Sequence, residues 1–116
     1  MSNSIMRDKA KEFAKSIVFL CRNMKAEHNE TVLINQLLRS GTSIGANIHE
    51  AQYAQGTKDF ISKFEIALKE ASETVYWLEL LYRTNYIDEQ TFKALSSKCT
   101  SLRVMLIASC KTAKEK

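Results

Sequence analysis

A chain of 116 residues is about the length of one domain, and its net charge of +4 leaves anionic partners open. It contains no proline and only three glycines, so little interrupts a helix, and helix-forming residues outnumber strand formers. No apolar run approaches the about 20 residues that span a bilayer and no secretory signal is evident, so we expect a cytoplasmic protein without a membrane partner.

Apolar residues at alternating steps of three and four predict long helices. The first helix is expected over residues 4–27, with a buried seam of Met6, Ala10, Phe13, Ile17, Leu20 and Met24. The second is expected over residues 31–55, with the seam Ile34, Leu37, Gly41, Ile44, Ile48 and Ala51. Gly56 then takes the left-handed position that often ends a helix.

Thr57 is the predicted N-cap of a third helix over residues 58–84, with Asp59 in its first turn. This helix carries two apolar stripes, Phe60, Phe64, Ala67, Ala71, Leu78 and Leu81 beside Ile61, Leu68, Val75 and Tyr82. Asp88 caps a fourth helix over residues 88–112, whose seam is Phe92, Leu95, Cys99, Leu102 and Leu106. Short joints between long helices predict one all-α domain over residues 1–116, an antiparallel up-down-up-down four-helix bundle.

The residues that most often carry enzyme chemistry are scarce or badly placed. The three cysteines show no zinc spacing, and we interpret Cys21 and Cys99 as reduced core residues. His28 and His49 lack the glutamate three residues earlier that a di-iron bundle requires. Residues 41–45 spell the hydrolase motif G-x-S-x-G, but in a helix, without the strand that the motif needs. We therefore predict no metal, no cofactor and no small-molecule substrate.

The two middle helices carry a predicted packing site and a predicted polar network. Gly41 and Gly45 lie one turn apart on one face, where two helices can approach closely. Acidic residues beside apolar faces must be paired if they are buried. We therefore predict a network that fixes helix register or a subunit contact, formed by Arg39, Asn47, Glu50, Glu70 and Glu73. An active site built from the same residues is the alternative.

Positive charge is concentrated in the first and last helices. Residues 1–28 and 87–116 each carry a net charge of +3, whereas residues 29–56 and 57–86 each carry −1. The first and last helices are neighbours in the predicted bundle, so their basic residues should form one nucleic-acid-binding side. The candidate contacts to RNA or DNA are Arg7, Lys11, Lys15, Arg22, Arg103, Lys111 and Lys114. No aromatic residue is expected among them, so base stacking is not indicated.

Arg22 and His28 support a different function. Their spacing resembles the R-x4–6-H signature of HEPN-type ribonucleases, in which the pair works in a bundle cleft, often across a dimer. The alternative to a binding module is therefore a small ribonuclease that uses these two residues, provided that they converge in space. A purely structural oligomer is the third possibility.

Residues 38–50 resemble the R-x-x-x-S-I-x-x-N-I-x-E core of bacterial four-helix proteins encoded in 23S rRNA intervening sequences. Asn85-Tyr86-Ile87 is similar to the G-Y-I joint of that family, and the match covers nearly the whole chain. His49-Glu50-Ala51 stands where the family usually has Ala-Glu-Gly, so we expect helix 2 to continue as far as Gly56.

This resemblance implies a homopentameric barrel of bundles without catalytic activity, and a basic surface that engages nucleic acid or a nucleic-acid enzyme. The family includes the accessory protein of diversity-generating retroelements, which looks like a relative of this chain. We therefore predict a non-enzymatic, homo-oligomeric adaptor module. Its basic surface on helices 1 and 4 is expected to meet nucleic acid or a ribonucleoprotein enzyme.

Overall fold

Four helices account for almost all of the chain. The computed structural model describes residues 2–115, with side chains from Ser4 onwards. In this range α1 spans Ser2–Glu27, α2 spans Val32–Ala51, α3 spans Thr57–Arg83 and α4 spans Glu89–Lys114, and there is no strand. The principal dimensions are 48 × 22 × 19 Å, as expected for helices of about 26 residues that lie side by side. Met1 and Lys116, the ends of the predicted domain, lie outside the described residues.

Consecutive helices run antiparallel. Along α1 and α2 the contacting residues have opposite order, since Cys21 bonds to Ile34 near one end and Arg7 bonds to Gln52 near the other. The other two pairs of consecutive helices behave likewise: Ser40 with Thr74 and Glu50 with Lys63, then Tyr82 with Phe92 and Glu65 with Lys114. α1 also packs against α4, more sparsely, and this contact closes the ring. The predicted four-helix bundle is confirmed.

The predicted seams form the core. All six seam residues of α2 are buried, as are Phe64 and the stripe that follows it on α3. In α1 the fifth residue of the predicted seam, Leu20, is only partly buried, and its neighbour Cys21 is buried in the core instead. Cys99 is buried as predicted, and so is Cys110. The second apolar stripe of α3 is half-buried, because it lies at the edge of the contact with α4.

α1 and α2 pack tightly against each other at Gly41 and Gly45. A Cβ atom built on Gly41 would lie 2.9 Å from Cγ2 and 3.0 Å from Cγ1 of Ile17, closer than such atoms can approach. A Cβ atom on Gly45 would lie 3.4 Å from the carbonyl oxygen of Ala10, which is an ordinary contact distance. Gly41 is therefore the position at which the absence of a side chain is required.

The joint after α2 differs from the prediction. α2 ends at Ala51 rather than continuing to Gly56, because the next three N–H groups bond to carbonyls three residues back and tighten the chain into turns. Gly56 has φ 161° and ψ 176°, an extended conformation rather than the predicted left-handed one. Thr57 is the first residue of α3 and not its cap. Asp59 instead accepts a hydrogen bond at 3.1 Å from the N–H of Gln55 in the joint.

The joint between α3 and α4 has a defined stop and a defined start. Asn85, with φ 68°, is the one non-glycine residue of residues 2–115 in the left-handed region. Its N–H bonds to the carbonyl of Tyr82, and the N–H of Tyr86 bonds to the carbonyl of Leu81, the two hydrogen bonds of a Schellman motif. Asp88 then caps α4 as predicted, accepting from the N–H of Thr91 at 2.7 Å. Hydrogen bonds with Thr91, from its side chain and from this N–H group, lower the pKa of Asp88 below its usual 3.8.

Candidate nucleic-acid interface

The outer face of α1 carries three cations. Lys11, Lys15 and Arg22 are exposed, and their spacings of four and seven residues place them on one side of the helix, opposite Phe13 and Ile17. Within residues 2–115 none of the three forms an ion pair or a side-chain hydrogen bond. We call these three residues the α1 basic row, which extends over about 16 Å of helix.

An aromatic ring lies within the α1 basic row, contrary to the prediction that none would. Phe19 follows Lys15 by four residues and precedes Arg22 by three, and its side chain is 50% exposed. The guanidinium of Arg22 lies over the Phe19 ring at 5.7 Å from the ring centroid. The signal was in the sequence, because Phe19 stands outside the apolar seam of its helix while lying at helical spacing from two cations.

The other predicted basic contacts are distributed around the bundle. Arg7 faces α2 and donates to Oε1 of Gln52 at 2.6 Å. Lys114 faces α3 and pairs with Glu65 at 2.9 Å, which raises the pKa of Lys114. Arg103 precedes Lys114 by eleven residues and so lies on the same face of α4, whereas Lys111 is exposed on its outer side. The predicted basic row across the α1–α4 groove therefore does not form.

The groove between α1 and α4 is itself of mixed charge. A depression of about 330 Å³ there is lined by Asp8, Lys9, Glu12 and Lys98 above the core residues Phe13 and Leu102. Two carboxylates accompany its two amines, so this groove offers no uniform field to a phosphate backbone. The carboxylates of Asp8 and Glu12 also border the α1 basic row on the side of α4, and they restrict the positive strip to the width of one helix.

Polar residues of α2 and α3 form a cluster on their shared outer edge. Arg39 bonds to Glu70 at 3.1 Å and forms an ion pair with Glu73, and Nε1 of Trp77 donates to Glu73 at 2.9 Å. Gln36 accepts a further bond from Arg39 at 3.4 Å. We call these five residues the Arg39 cluster. Its members are partly exposed, so it belongs to the surface rather than to the core.

Two residues of the predicted network lie outside the Arg39 cluster. The amide of Asn47 donates to the carbonyl of Ser43, one turn earlier in α2, at 2.8 Å. Glu50 pairs with Lys63 at 3.1 Å, a separate contact nearer the end of α2. The prediction that Asn47 joins the network was wrong, because its side-chain amide forms its hydrogen bond with a carbonyl of its own helix instead.

Exposed apolar side chains surround the Arg39 cluster. Val32, one heptad before Arg39, is 68% exposed, and Ile66, one turn before Glu70, is 40% exposed. Tyr76 is 58% exposed and meets Trp77 edge to face with ring centroids 4.9 Å apart. We call Val32, Ile66 and Tyr76 together with the Arg39 cluster the α2–α3 face.

The residues proposed for catalysis have separate partners. Arg22 lies over Phe19, while the ring of His28 packs against Tyr86 with centroids 4.5 Å apart. Among residues 2–115, no side-chain hydrogen bond joins Arg22 to His28. The Ser43 hydroxyl donates to the carbonyl of Arg39 at 2.7 Å in the middle of α2, so the G-x-S-x-G sequence lies in a regular helix.

Residues 2–115 contain neither a membrane-spanning helix nor a cluster of metal ligands. None of the four helices in this range combines the length and the apolar character that crossing a bilayer requires. No three His, Cys, Asp or Glu side chains in the same range lie together as metal ligands would.

Sequence and structure comparisons agree with each other. The profile of the family described as 23S rRNA-intervening sequence protein matches residues 2–108. A crystal structure of a protein of unknown function from the S23 ribosomal protein family of Bacteroides thetaiotaomicron VPI-5482 superimposes with a TM-score of 0.93. Its sequence is 49% identical, and the alignment covers 96% of this chain and 99% of that one. No curated protein matches the chain.

Proposed function

The chain belongs to the 23S rRNA-intervening sequence protein family, and we propose that it is a non-enzymatic binding module that engages nucleic acid through the outer face of α1. The observation that carries this proposal is the α1 basic row. Lys11, Lys15 and Arg22 are exposed and lie on one side of one helix, and none of them forms an ion pair within residues 2–115. Cations arranged in this way bind phosphates by releasing counterions.

The strength of this interaction depends on how many copies of the row act together. Each phosphate contact contributes about 0.7 to 0.9 to the slope of log affinity against log salt, so three contacts from one chain give weak binding. We propose that several chains assemble and present their rows together, with the homopentamer implied by the family resemblance as the expected form. Five copies of the 13.2 kDa chain have a mass of about 66 kDa.

The α2–α3 face is the surface that supports self-association. It exposes Val32, Ile66 and Tyr76 around charges that are already paired within the chain. Because Arg39, Glu70 and Glu73 are paired with one another, removing water from them on association leaves none of these three charges without a partner. It also lies away from α1, so assembly through it leaves the α1 basic row exposed.

Binding is tested by reversing charge on α1. We expect Lys11→Glu/Lys15→Glu to lower the affinity for labelled RNA or DNA at least tenfold in fluorescence anisotropy, and to lower the salt slope by about 1.4 to 1.8. The matched control is Lys93→Glu/Lys98→Glu, which changes the net charge equally at exposed positions of α4. Equal losses in the two variants would show that net charge alone attracts the nucleic acid, and would refute a site on α1.

Assembly is tested by light scattering on a size-exclusion column. We expect a mass near 66 kDa for the wild-type chain and a shift towards 13.2 kDa for Ile66→Glu/Tyr76→Glu. Val104→Glu/Ile107→Glu is the control, because it places the same charges on exposed apolar positions of α4. A monomeric wild-type chain, or a control that dissociates equally, would contradict the proposed interface.

The RNA recovered from the binding reactions tests the absence of catalysis. Arg22 and His28 have separate partners, so we expect full-length RNA after incubation. RNA cleavage that disappears in His28→Ala while binding persists would show that the protein is a ribonuclease, and would refute the proposal of a non-enzymatic binding module.

A further inference from the structure

We infer that the α1 face takes single-stranded nucleic acid in preference to a duplex, with an unpaired base stacked on Phe19. This inference rests on the proposed function of the α1 basic row. It adds two things to the proposed function: the class of nucleic acid, which is single-stranded, and a residue that contacts a base, which is Phe19.

The first observation is the position of Phe19 relative to the cations. Its ring is half-exposed on the outer side of α1, one turn after Lys15 and just under one turn before Arg22. Every base in a single strand is bracketed by two phosphates. An aromatic ring bracketed by two cations along one helix has the complementary pattern, and every base offers a π-face to such a ring.

The second observation is the contact between Arg22 and Phe19. The guanidinium lies over the ring at 5.7 Å from its centroid, within the about 6 Å at which a cation is attracted to an aromatic face. A guanidinium plane is itself a surface on which unpaired bases stack. Phe19 and Arg22 together therefore present a stacking platform next to a phosphate contact, which a scattered exposed hydrophobic residue does not.

The third observation is the width of the positive strip. Asp8 and Glu12 border the row on the side of the α4 groove. Glu12 lies one heptad before Phe19, so a single strand stacked on Phe19 passes beside one carboxylate, whereas a duplex brings a second phosphate backbone towards both. The bases of a duplex are also paired and stacked internally, so they cannot reach Phe19 without unpairing.

The experiment compares a short labelled oligouridine and the matching oligodeoxythymidine with a blunt duplex of the same length. The variants are Phe19→Ala, Phe19→Leu, which keeps an apolar side chain without a π-face, and Phe19→Trp, which enlarges that face. We expect Phe19→Ala and Phe19→Leu to weaken single-strand binding at least about fivefold and to change duplex binding less than about twofold. Phe19→Trp should bind single strands at least as tightly as the wild-type chain does. Far-ultraviolet circular dichroism and the light-scattering mass check that each variant keeps its fold and assembly.

The outcomes separate this inference from the proposed function. Equal losses for single strands and duplex, or a Leu variant that binds like the wild type, would overturn stacking on Phe19. If Lys11→Glu/Lys15→Glu still abolished binding in that case, the proposed function would stand. A change of solution mass in the Phe19 variants would make Phe19 a contact between copies of the chain and would also overturn the inference. Absence of any binding by the wild-type chain would refute both.

Discussion

The packing of Ile17 against Gly41 gives a prediction in which two neighbouring glycines respond with opposite sign. Replacing glycine by alanine within a helix gains about 1 kcal/mol from helix propensity alone. At Gly41 the new methyl group would lie 2.9 Å from Ile17 Cγ2, whereas at Gly45 its nearest neighbour is 3.4 Å away. Only the first position therefore carries a steric penalty.

The size of the penalty follows from how little Ile17 can move. Its side chain is fully buried, and a β-branched residue in a helix is held close to one χ1 rotamer. Relief then requires α1 and α2 to separate, and overpacking of this kind costs about 1 to 3 kcal/mol. We expect Gly41→Ala to lower the free energy of unfolding by up to about 2 kcal/mol, and Gly45→Ala to raise it by about 0.5 to 1 kcal/mol.

The assay is urea unfolding followed by circular dichroism, at one protein concentration for all variants because assembly couples to stability. A double-mutant cycle with Ile17→Ala isolates the contact. The cavity left by Ile17→Ala costs about 2 to 5 kcal/mol in the wild type, and it should cost less in the Gly41→Ala background, where the added methyl group partly fills it. Equal stabilisation by both glycine substitutions, with additive effects in the cycle, would refute the steric argument.

Three further predictions concern the second joint and the thiols. At Asn85, which has φ 68°, alanine should lower the free energy of unfolding by about 1 kcal/mol in chemical denaturation while glycine leaves it within about 0.5 kcal/mol. Asp88→Ala should lower Tm at neutral pH; because the folded pKa of Asp88 lies below 3.8, this difference should vanish as pH falls through that lower value. Burial raises the pKa of Cys21 and of Cys99 from 9.0 to about 11, so their stabilising contribution should decline between these two pH values, and Cys21→Ala/Cys99→Ala should show a flatter pH profile in urea unfolding.

The seams of the bundle were predictable because burial repeats with the period of the helix. In α2 every predicted seam residue from Ile34 to Ala51 is buried, since no polar residue competes for those positions. The end of α2 was not predictable from the same pattern. There the chain turns after Ala51, and Asp59 satisfies the N–H of Gln55 in the joint, an interaction that depends on where α3 begins.

The candidate site was predictable only within single helices. Lys11, Lys15 and Arg22 share a face because of their spacing along α1, which the sequence contains. Lys114 finds Glu65 through the register between α3 and α4, and a charge count along the chain carries no information on that register. For the same reason, the sequence predicted that Arg39 would pair with Glu70 and Glu73 of α3, but it did not predict that this network would lie at the surface.

The contact that fixes the packing of α1 also fixes where its proposed binding surface points. The rotation of a helix about its axis decides which side chains meet solvent, and each residue step turns that direction by about 100°. Ile17 is held against the backbone of α2 at Gly41, so α1 has little room to rotate. With Phe13 and Ile17 inward, Lys15, Phe19 and Arg22 must face outward. A glycine on α2 thus orients a surface to which α2 contributes no side chain.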